Sequence, residues 1–198
     1  MEGPNTAETP LQVVCFFKYT AEGVKKMSGA PVELDKELHG VIGTLRLRGQ
    51  FAADPLETIV ISPPNGTIKA KALLLIGLGA EDGLSQDLLE GVGRTALREA
   101  SRLGISQVAF APLIRDQGNS KFSAGEVETA VVRGMLLGYD TDRRLQKEGF
   151  SKEFVLNKWS VEAGPTYFDE TVAGVQKAIE QAGKSIEGRG NSPLIRQK

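Results

Sequence analysis

Four consecutive apolar residues, Leu73-Leu74-Leu75-Ile76, constrain the fold of this chain more than any other segment. Successive side chains of a β-strand point to opposite faces of the sheet, so a strand with this sequence is apolar on both faces. Such strands occur where helices cover both sides of a largely parallel sheet. The run therefore predicts an interior strand over 70–76, which Gly77-Leu78-Gly79 ends.

Turn residues and apolar spacing divide the rest of the chain into alternating strands and helices. Further strands are predicted at 11–18, 57–62, 107–111 and 154–161. Helices are predicted at 34–49, from Ser85 to Gly104, from Ser123 onward and at 167–186. Ser85 and Ser123 are suited to cap helix starts, and Glu126 completes a capping box with Ser123. This alternation predicts one α/β domain with a largely parallel or mixed sheet between helical layers.

The chain of 198 residues suits a single domain. We assign that domain to residues 11–186. The polar and acidic residues 1–10 are expected to be a disordered N-terminal segment, and residues 187–198 a polar tail.

The charge balance and the cysteine content indicate which kinds of binding partner and which cellular compartment to expect. Lysine and arginine number 24 and aspartate and glutamate 25, so the totals give no support to a nucleic-acid partner. The single cysteine, Cys15, lies in an apolar run and is interpreted as a buried, inert thiol. There is no signal-peptide pattern and no apolar run long enough to span a membrane, so a cytoplasmic protein without a membrane partner is expected.

Catalytic signatures are not apparent. The single histidine, His39, has no second histidine near it in metal-ligand spacing, and its helical position favours a structural role beside an apolar face. No glycine-x-serine-x-glycine segment is present. We therefore predict no catalytic residue, no metal site and no cofactor.

The turn formed by Gly77, Leu78 and Gly79 is the one candidate for binding a small anion. A glycine turn after a strand, followed by a helix that begins near Ser85, can bind phosphate through backbone amides. The spacing does not match the dinucleotide fingerprint, because a third glycine is missing. A tight turn that needs glycine geometry is the alternative interpretation.

Several segments occur in an order typical of one protein family. They are Leu34-Asp35 at a helix start, Gly49-Gln50-Phe51 at its end, strand 57–62 before Pro63-Pro64, Gly77-Leu78-Gly79 after the apolar strand, and Gly134, Gly138, Tyr139, Asp140 and Asp142 at the end of the third helix. In this order they resemble the N-terminal domain of the leucyl aminopeptidase family, over residues 11–186.

The resemblance implies a macro-domain-like fold, which is a three-layer α/β/α sandwich around a mixed, largely parallel sheet. It also implies that the two-metal peptidase chemistry of the family lies in a separate catalytic domain, whose ligand motif this sequence lacks. The segment Asn191-Ser192-Pro193 resembles the family's approach to that domain. The chain is accordingly predicted not to be an enzyme by itself.

Three functions remain open. The first is an interaction module, which associates with itself or pairs with an aminopeptidase catalytic domain. The second is a macro-domain-like binder of a nucleotide or ADP-ribose; the asparagine-rich strand end and glycine-rich loop of such domains have no counterpart here, so tight ADP-ribose binding is not expected. The third is an enzyme of another kind, which no constellation in the sequence supports.

The last predicted helix supplies the candidate interface. Its apolar stripe is Val172, Val175, Ile179, Ala182 and Ile186. Part of the stripe is expected to cover the sheet, and Val175, Ile179 and Ile186 are the candidate interface residues. The end near Ile186 is expected to lie exposed and to contact a partner.

Overall fold

The computed structural model describes residues 3–190 and places five strands in one sheet. They are β1 (Leu11–Phe16), β2 (Thr58–Ile61), β3 (Leu73–Gly77), β4 (Gln107–Ala111) and β5 (Lys158–Val161). Their order across the sheet is β2-β3-β1-β4-β5. Strand β1 is parallel to β3 and β4, β4 is parallel to β5, and β2 is antiparallel to β3. The predicted mixed, largely parallel sheet is confirmed.

Six α-helices within residues 3–190 form the outer layers. They are α1 (Ala21–Lys26), α2 (Ala30–Glu37), α3 (Val41–Leu47), α4 (Gln86–Leu103), α5 (Ala124–Lys147) and α6 (Phe168–Gly188). Helices α4 and α5 cover the face that carries Val13 and Cys15, and α6 packs on α5. Helices α2 and α3 cover the opposite face, which carries Val14 and Phe16. This is the three-layer α/β/α arrangement that the resemblance implied.

Both interior strands that pair around the middle of the sheet are buried throughout. Every residue of β3 and every residue of β1 is buried, because each strand has a neighbour on both edges and helices on both faces. The apolar run at 73–76 therefore has the interior position that its sequence predicted.

The helix predicted over 34–49 is two short helices, α2 and α3. His39 and Gly40, with φ angles of 57° and 78°, are in the left-handed region, where a right-handed helix cannot continue. Asp35 then caps α3, since its carboxylate accepts from the amides of Ile42 and Gly43 at 2.8 and 3.1 Å. His39 is exposed at this break and does not lie beside an apolar face.

The N-terminal segment expected to be disordered lies against the domain. Within residues 3–10, Pro4 and Ala7 are buried, and the Thr9 carbonyl accepts from the Lys71 amide at 3.0 Å. Helix α1, which was not predicted, follows β1 and is capped by Thr20, whose hydroxyl accepts from the Gly23 amide at 2.9 Å.

The C-terminal boundary also differs from the expected one. Helix α6 continues to Gly188, so the first residues of the expected tail 187–198 are helical. Residues 191–198, including Asn191-Ser192-Pro193, lie outside the described residues.

Glycines set the separation of the three long helices. A Cβ atom on Gly134 of α5 would overlap the carbonyl oxygen of Glu90 in α4, and one on Gly174 of α6 would overlap the carbonyl oxygen of Gly125 in α5. Side chains would hold these backbones apart, so glycine allows the helices to touch directly. Gly134 therefore contacts α4 directly.

We expect Gly134→Ala to lower the free energy of unfolding by about 1–3 kcal/mol, because the added methyl must displace the backbone of α4. Gly183→Ala is the matched control, since no atom lies within 4 Å of the position that a Cβ atom would take at this residue of α6. That change should raise the free energy of unfolding by about 0.5–1 kcal/mol, as alanine favours a helix. Urea unfolding of both variants measures the difference; equal effects would contradict a direct backbone contact between α4 and α5.

Candidate functional site

The predicted anion turn is built into the hydrogen bonding of the protein. The amides of Gly77, Leu78 and Gly79 donate to carbonyls of neighbouring segments, each at 2.8 Å. Gly79 has a φ angle of 70°, which glycine adopts without strain. Ser85 caps α4, because its hydroxyl accepts from the Leu88 amide at 3.2 Å. In this structure, the turn amides therefore all have protein acceptors.

Helix α6 presents two adjacent faces, and the predicted stripe is divided between them. The buried face, which packs on α5, consists of Thr171, Gly174, Ala178 and Ala182. The second face consists of Phe168, Val172, Val175 and Ile179. Ile179 is 55% exposed and Phe168 57% exposed, whereas Ile186 is half-buried. The candidate Ile179 therefore faces outward, whereas the helix end near Ile186, which was expected to be exposed, is half-buried. The small residues of α6 lie against α5.

A groove runs between the outward face of α6 and β5, the terminal strand of the sheet. This edge groove has a volume of about 680 Å³. Its apolar walls are Trp159, Val161, Phe168, Val172 and Val175. Because β5 pairs only with β4 among the described residues, its other edge presents backbone groups without a strand partner there. An apolar groove beside an open strand edge is suited to contact another protein surface.

A second depression, the strand-end cavity, opens at the carboxyl ends of β4 and β5. Its volume is about 380 Å³, and the loop after β4, the first turns of α5 and the segment after β5 form its walls. Parallel α/β sheets commonly bind small molecules at this end, where loops from several strands converge.

The loop after β4 is fixed by one buried side chain. The Gln117 amide nitrogen donates to the carbonyls of Cys15 and Leu113, both at 3.0 Å, and its oxygen accepts from the Phe17 amide at 3.0 Å. Leu113, in the cavity wall, has a φ angle of 54°, which is uncommon for a residue with a Cβ atom. Such strain persists where surrounding contacts impose it, and it is frequent at functional sites.

Glu128 contributes the most perturbed carboxyl group of the cavity wall. It is 3% exposed, and its Oε2 atom has no hydrogen-bond partner among the described residues. Burial raises the pKa of Glu128 to about 8, because the charged form loses its hydration. Cys15 is buried, as predicted, and burial together with the nearby Glu128 raises the pKa of its thiol.

Arg115 and Glu162 also line the strand-end cavity. The Arg115 guanidinium carbon lies 4.9 Å from the centre of the Tyr167 ring, and its Nη2 donates to the Phe122 carbonyl at 3.3 Å. Its buried Nε has no partner among residues 3–190. The Glu162 carboxylate accepts from the Gln12 side-chain amide at 2.7 Å. The cavity thus combines carboxyl groups with one guanidinium.

This cavity was not predicted from the sequence. Its residues are far apart along the chain and meet only because β4 and β5 are neighbours. A signal was nevertheless present, since Glu128 has apolar residues three, four and seven positions later, at Val131, Val132 and Met135. A carboxylate at that spacing on a helix lies among buried side chains, where an ionised group is costly.

Among residues 3–190, no group of three or more His, Cys, Asp or Glu is arranged to hold a metal ion. In the same part of the chain, no helix combines the length and the apolar composition that a membrane span requires.

The sequence is similar to one part of a larger family of proteins. The model for the N-terminal domain of the cytosol aminopeptidase family matches residues 13–149. A probable cytosol aminopeptidase of Sulfurihydrogenibium sp. is 30% identical over 129 residues, which are 64% of this chain and 24% of that protein. One of Alkaliphilus oremlandii is 29% identical over 140 residues, 69% of this chain and 28% of that protein. The chain spans about a quarter of the length of the curated relatives it matches.

Solved structures share the fold. A mutant of tomato leucine aminopeptidase aligns with a TM-score of 0.66 and 20% identity, covering 92% of this chain and 35% of that one. A mutant macrodomain of Oceanobacillus iheyensis aligns with a TM-score of 0.57 and 13% identity, covering 90% of this chain and 89% of that one. At these identities the likeness concerns the fold alone.

We expect Glu128→Gln to change how stability depends on pH. The wild-type carboxyl ionises near pH 4.5 when unfolded and near pH 8 when folded, so unfolding releases a proton between these values. Wild-type stability should therefore fall as pH rises through this window, while the glutamine variant is spared that loss. Between pH 4 and pH 8, the free energy of unfolding of the variant should therefore rise relative to that of wild type by on the order of 2–4 kcal/mol.

Urea unfolding at the two pH values measures this gain. Glu153→Gln is the control, because Glu153 is exposed and its removal should leave the pH dependence unchanged. Parallel pH profiles for wild type and Glu128→Gln would show that Glu128 is not held in its neutral form.

Proposed function

This chain belongs to the cytosol aminopeptidase family, whose N-terminal domain it contains, and from that premise we propose that it is a non-catalytic docking domain for an aminopeptidase catalytic domain. That catalytic domain is carried either on the same, longer polypeptide or on a separate one. The observation that carries the proposal is the outward apolar face of α6 beside the open edge of β5.

The chemistry of this surface supports a protein partner. Phe168 and Ile179 are both more than half exposed, and the edge groove continues their apolar surface to the sheet edge. Covering such a surface is favourable by about 25 cal/mol per Å² of apolar area. Apolar exposure of this kind on one continuous face is typical of interaction sites.

The position of α6 favours a catalytic domain as the partner. The Arg189 side chain donates to the Leu137 carbonyl at 3.1 Å and to the Asp140 carboxylate at 2.7 Å, so the end of α6 is fastened to α5. A domain that follows α6 thus starts from a fixed point next to the outward face. In the curated relatives, the part matched here is about a quarter of the protein, which leaves a large region to contact this domain.

We expect the purified 198-residue chain to release no p-nitroaniline from leucine p-nitroanilide with added zinc, manganese or cobalt. The physical reason is that two-metal hydrolysis needs a set of clustered ligands, and residues 3–190 provide no such cluster. The full-length Alkaliphilus oremlandii relative is the positive control. Metal-dependent activity that co-purifies with this chain through successive columns would contradict the proposal of a non-catalytic domain.

We expect Ile179→Asp to weaken docking by about tenfold or more, because it places a carboxylate in an apolar interface. The test is a chimera in which this chain replaces the N-terminal quarter of the Alkaliphilus oremlandii relative. Sedimentation velocity measures whether the two domains of the chimera stay compactly docked. Thermal unfolding measures whether they unfold together in one cooperative transition. Leu47→Asp is the matched control, since Leu47 is 68% exposed on the opposite helical layer.

Wild-type behaviour of the Ile179→Asp chimera would contradict docking through this face. A stable dimer of the isolated chain that Ile179→Asp dissociates would instead assign the face to self-association.

A further inference from the structure

The outer edge of β5 carries backbone groups that lack hydrogen-bond partners among the described residues. The Glu162 amide, directly after β5, donates to the Phe110 carbonyl of β4 at 2.9 Å. In a parallel pair, every second residue of a strand directs its amide and carbonyl groups to the same neighbour, so Ser160 also faces β4. The amides and carbonyls of Trp159 and Val161 point the other way, and no described segment outside the sheet hydrogen-bonds to them.

Two segments besides the sheet line the edge groove, and they differ in polarity. Helix α6 supplies an apolar wall, and residues 7–9 supply the other. Successive β5 side chains point to opposite faces of the sheet. Trp159 packs on the core cluster that includes residues of α5 and α6, whereas Lys158 lies on the opposite face and is exposed. The groove is therefore apolar on the α6 side of β5 and polar on the other side.

An extended polypeptide segment matches both features of this groove. Its amides and carbonyls can pair with the outward groups of Trp159 and Val161, as an added strand does at an exposed sheet edge. Its side chains alternate between two faces, so apolar residues on one face can cover Trp159 and Val172 while polar residues lie on the face of Lys158. A helix in the groove would use its backbone groups internally and leave the β5 edge without partners.

Charged side chains on the polar side specify the segment further. Lys158 is exposed and has no ion-pair partner among the described residues, and Glu8 is an exposed carboxyl group in the same groove. A carboxylate opposite Lys158 and a basic residue near Glu8 would complement these charges. They would also select one register, because a slip of one residue moves every side chain of the added strand to the other face.

We propose that the aminopeptidase catalytic domain adds an extended segment to β5 as a sixth strand of the sheet. The segment alternates apolar and polar residues and places a carboxylate opposite Lys158. It runs antiparallel to β5, because antiparallel pairing is the more stable per residue. The edge groove, of about 680 Å³, is the space that the segment fills. This inference rests on the proposed docking function and specifies the contact through which docking takes place.

An added strand gives an alternating pattern of amide exchange along β5. In the isolated chain, the amides of Trp159 and Val161 have no acceptor and should exchange rapidly with deuterium in the solvent. The amides of Ser160 and Glu162 are bonded to β4 and should exchange slowly with or without a partner. Docking should slow exchange at Trp159 and Val161 by about 100-fold, because their amides acquire acceptors.

The experiment is hydrogen–deuterium exchange, measured by mass spectrometry with single-residue fragmentation. It compares the 198-residue chain with its chimera with the Alkaliphilus oremlandii relative. The expected result is slow exchange at Trp159 and Val161 in the chimera, and faster exchange there in the Ile179→Asp chimera. If the chimera docks but these two amides exchange as in the isolated chain, strand addition is overturned and the docking function stands. A chimera that does not dock overturns both.

A proline at position 161 tests the backbone pairing itself. Val161→Pro removes an amide that points away from β4, so β5 keeps its bonds to β4. Val161→Ala is the matched control, since it shortens the same side chain and keeps the amide. In the chimera, Val161→Pro should reduce protection at Trp159 by about tenfold relative to Val161→Ala, because one hydrogen bond is lost and the ring obstructs the added strand. Circular dichroism checks that both variants fold, and the wild-type exchange pattern decides if Val161→Pro does not.

Charge reversal tests the register. Lys158→Glu should reduce protection at Trp159 in the chimera by about threefold or more, because like charges then lie opposite each other. Lys152→Glu is the control, at an exposed lysine that does not line the groove.

Three results would overturn the proposal in its stated form. Equal protection in Val161→Pro and Val161→Ala would show that the amide of residue 161 takes no part in docking. Equal effects of Lys158→Glu and Lys152→Glu would exclude a carboxylate opposite Lys158. Protection of Trp159 and Val161 that grows with the concentration of the isolated chain would assign the edge of β5 to a second copy of this chain.

Discussion

The burial of strand β1 on both faces is the constraint on which the rest of the structure depends. Its six residues lie between β3 and β4, so both edges of its backbone are hydrogen-bonded within the sheet. Apolar side chains on both faces require a helical layer on each side, which α4 and α5 provide above and α2 and α3 below. The same strand ends beneath Gln117, whose hydrogen bonds fix the loop that forms the strand-end cavity. The core and the cavity are therefore consequences of one strand position.

Local signals allowed much of this fold to be predicted. The apolar run at 73–76 and the capping box of Ser123 with Glu126 each depend on residues close together in sequence, and both appear in the structure as expected. The break at His39 and Gly40 escaped prediction because the apolar spacing continues across it into α3. Spacing also identifies which residues of α6 share a face, but it does not reveal which face a neighbour covers. The face of α6 that packs on α5 is the one with glycine and alanine, because these small residues permit close contact between the helices.

The candidate sites were harder to predict from the sequence than the fold. Arg115, Glu128 and Glu162 belong to three separate segments, and only the adjacency of β4 and β5 brings them to one cavity. The glycine turn after β3 presented the stronger sequence pattern, yet its amides serve the packing of adjacent loops. A glycine pattern indicates the backbone geometry that a turn needs. Whether the turn can bind an anion depends on which of its amides have no acceptor within the protein.

The terminal position of β5 gives the chain an intrinsic optical reporter. The single tryptophan, Trp159, lies on this strand, lines the edge groove and stacks on Phe110 at a centroid distance of 5.8 Å. Indole emission shifts in wavelength with the polarity around the ring, so the intrinsic fluorescence of this protein arises at the open edge of its sheet. A molecule that fills the groove, or a strand that detaches, alters the same spectrum in opposite directions. Changes at the edge groove can thus be measured by intrinsic fluorescence without an added dye.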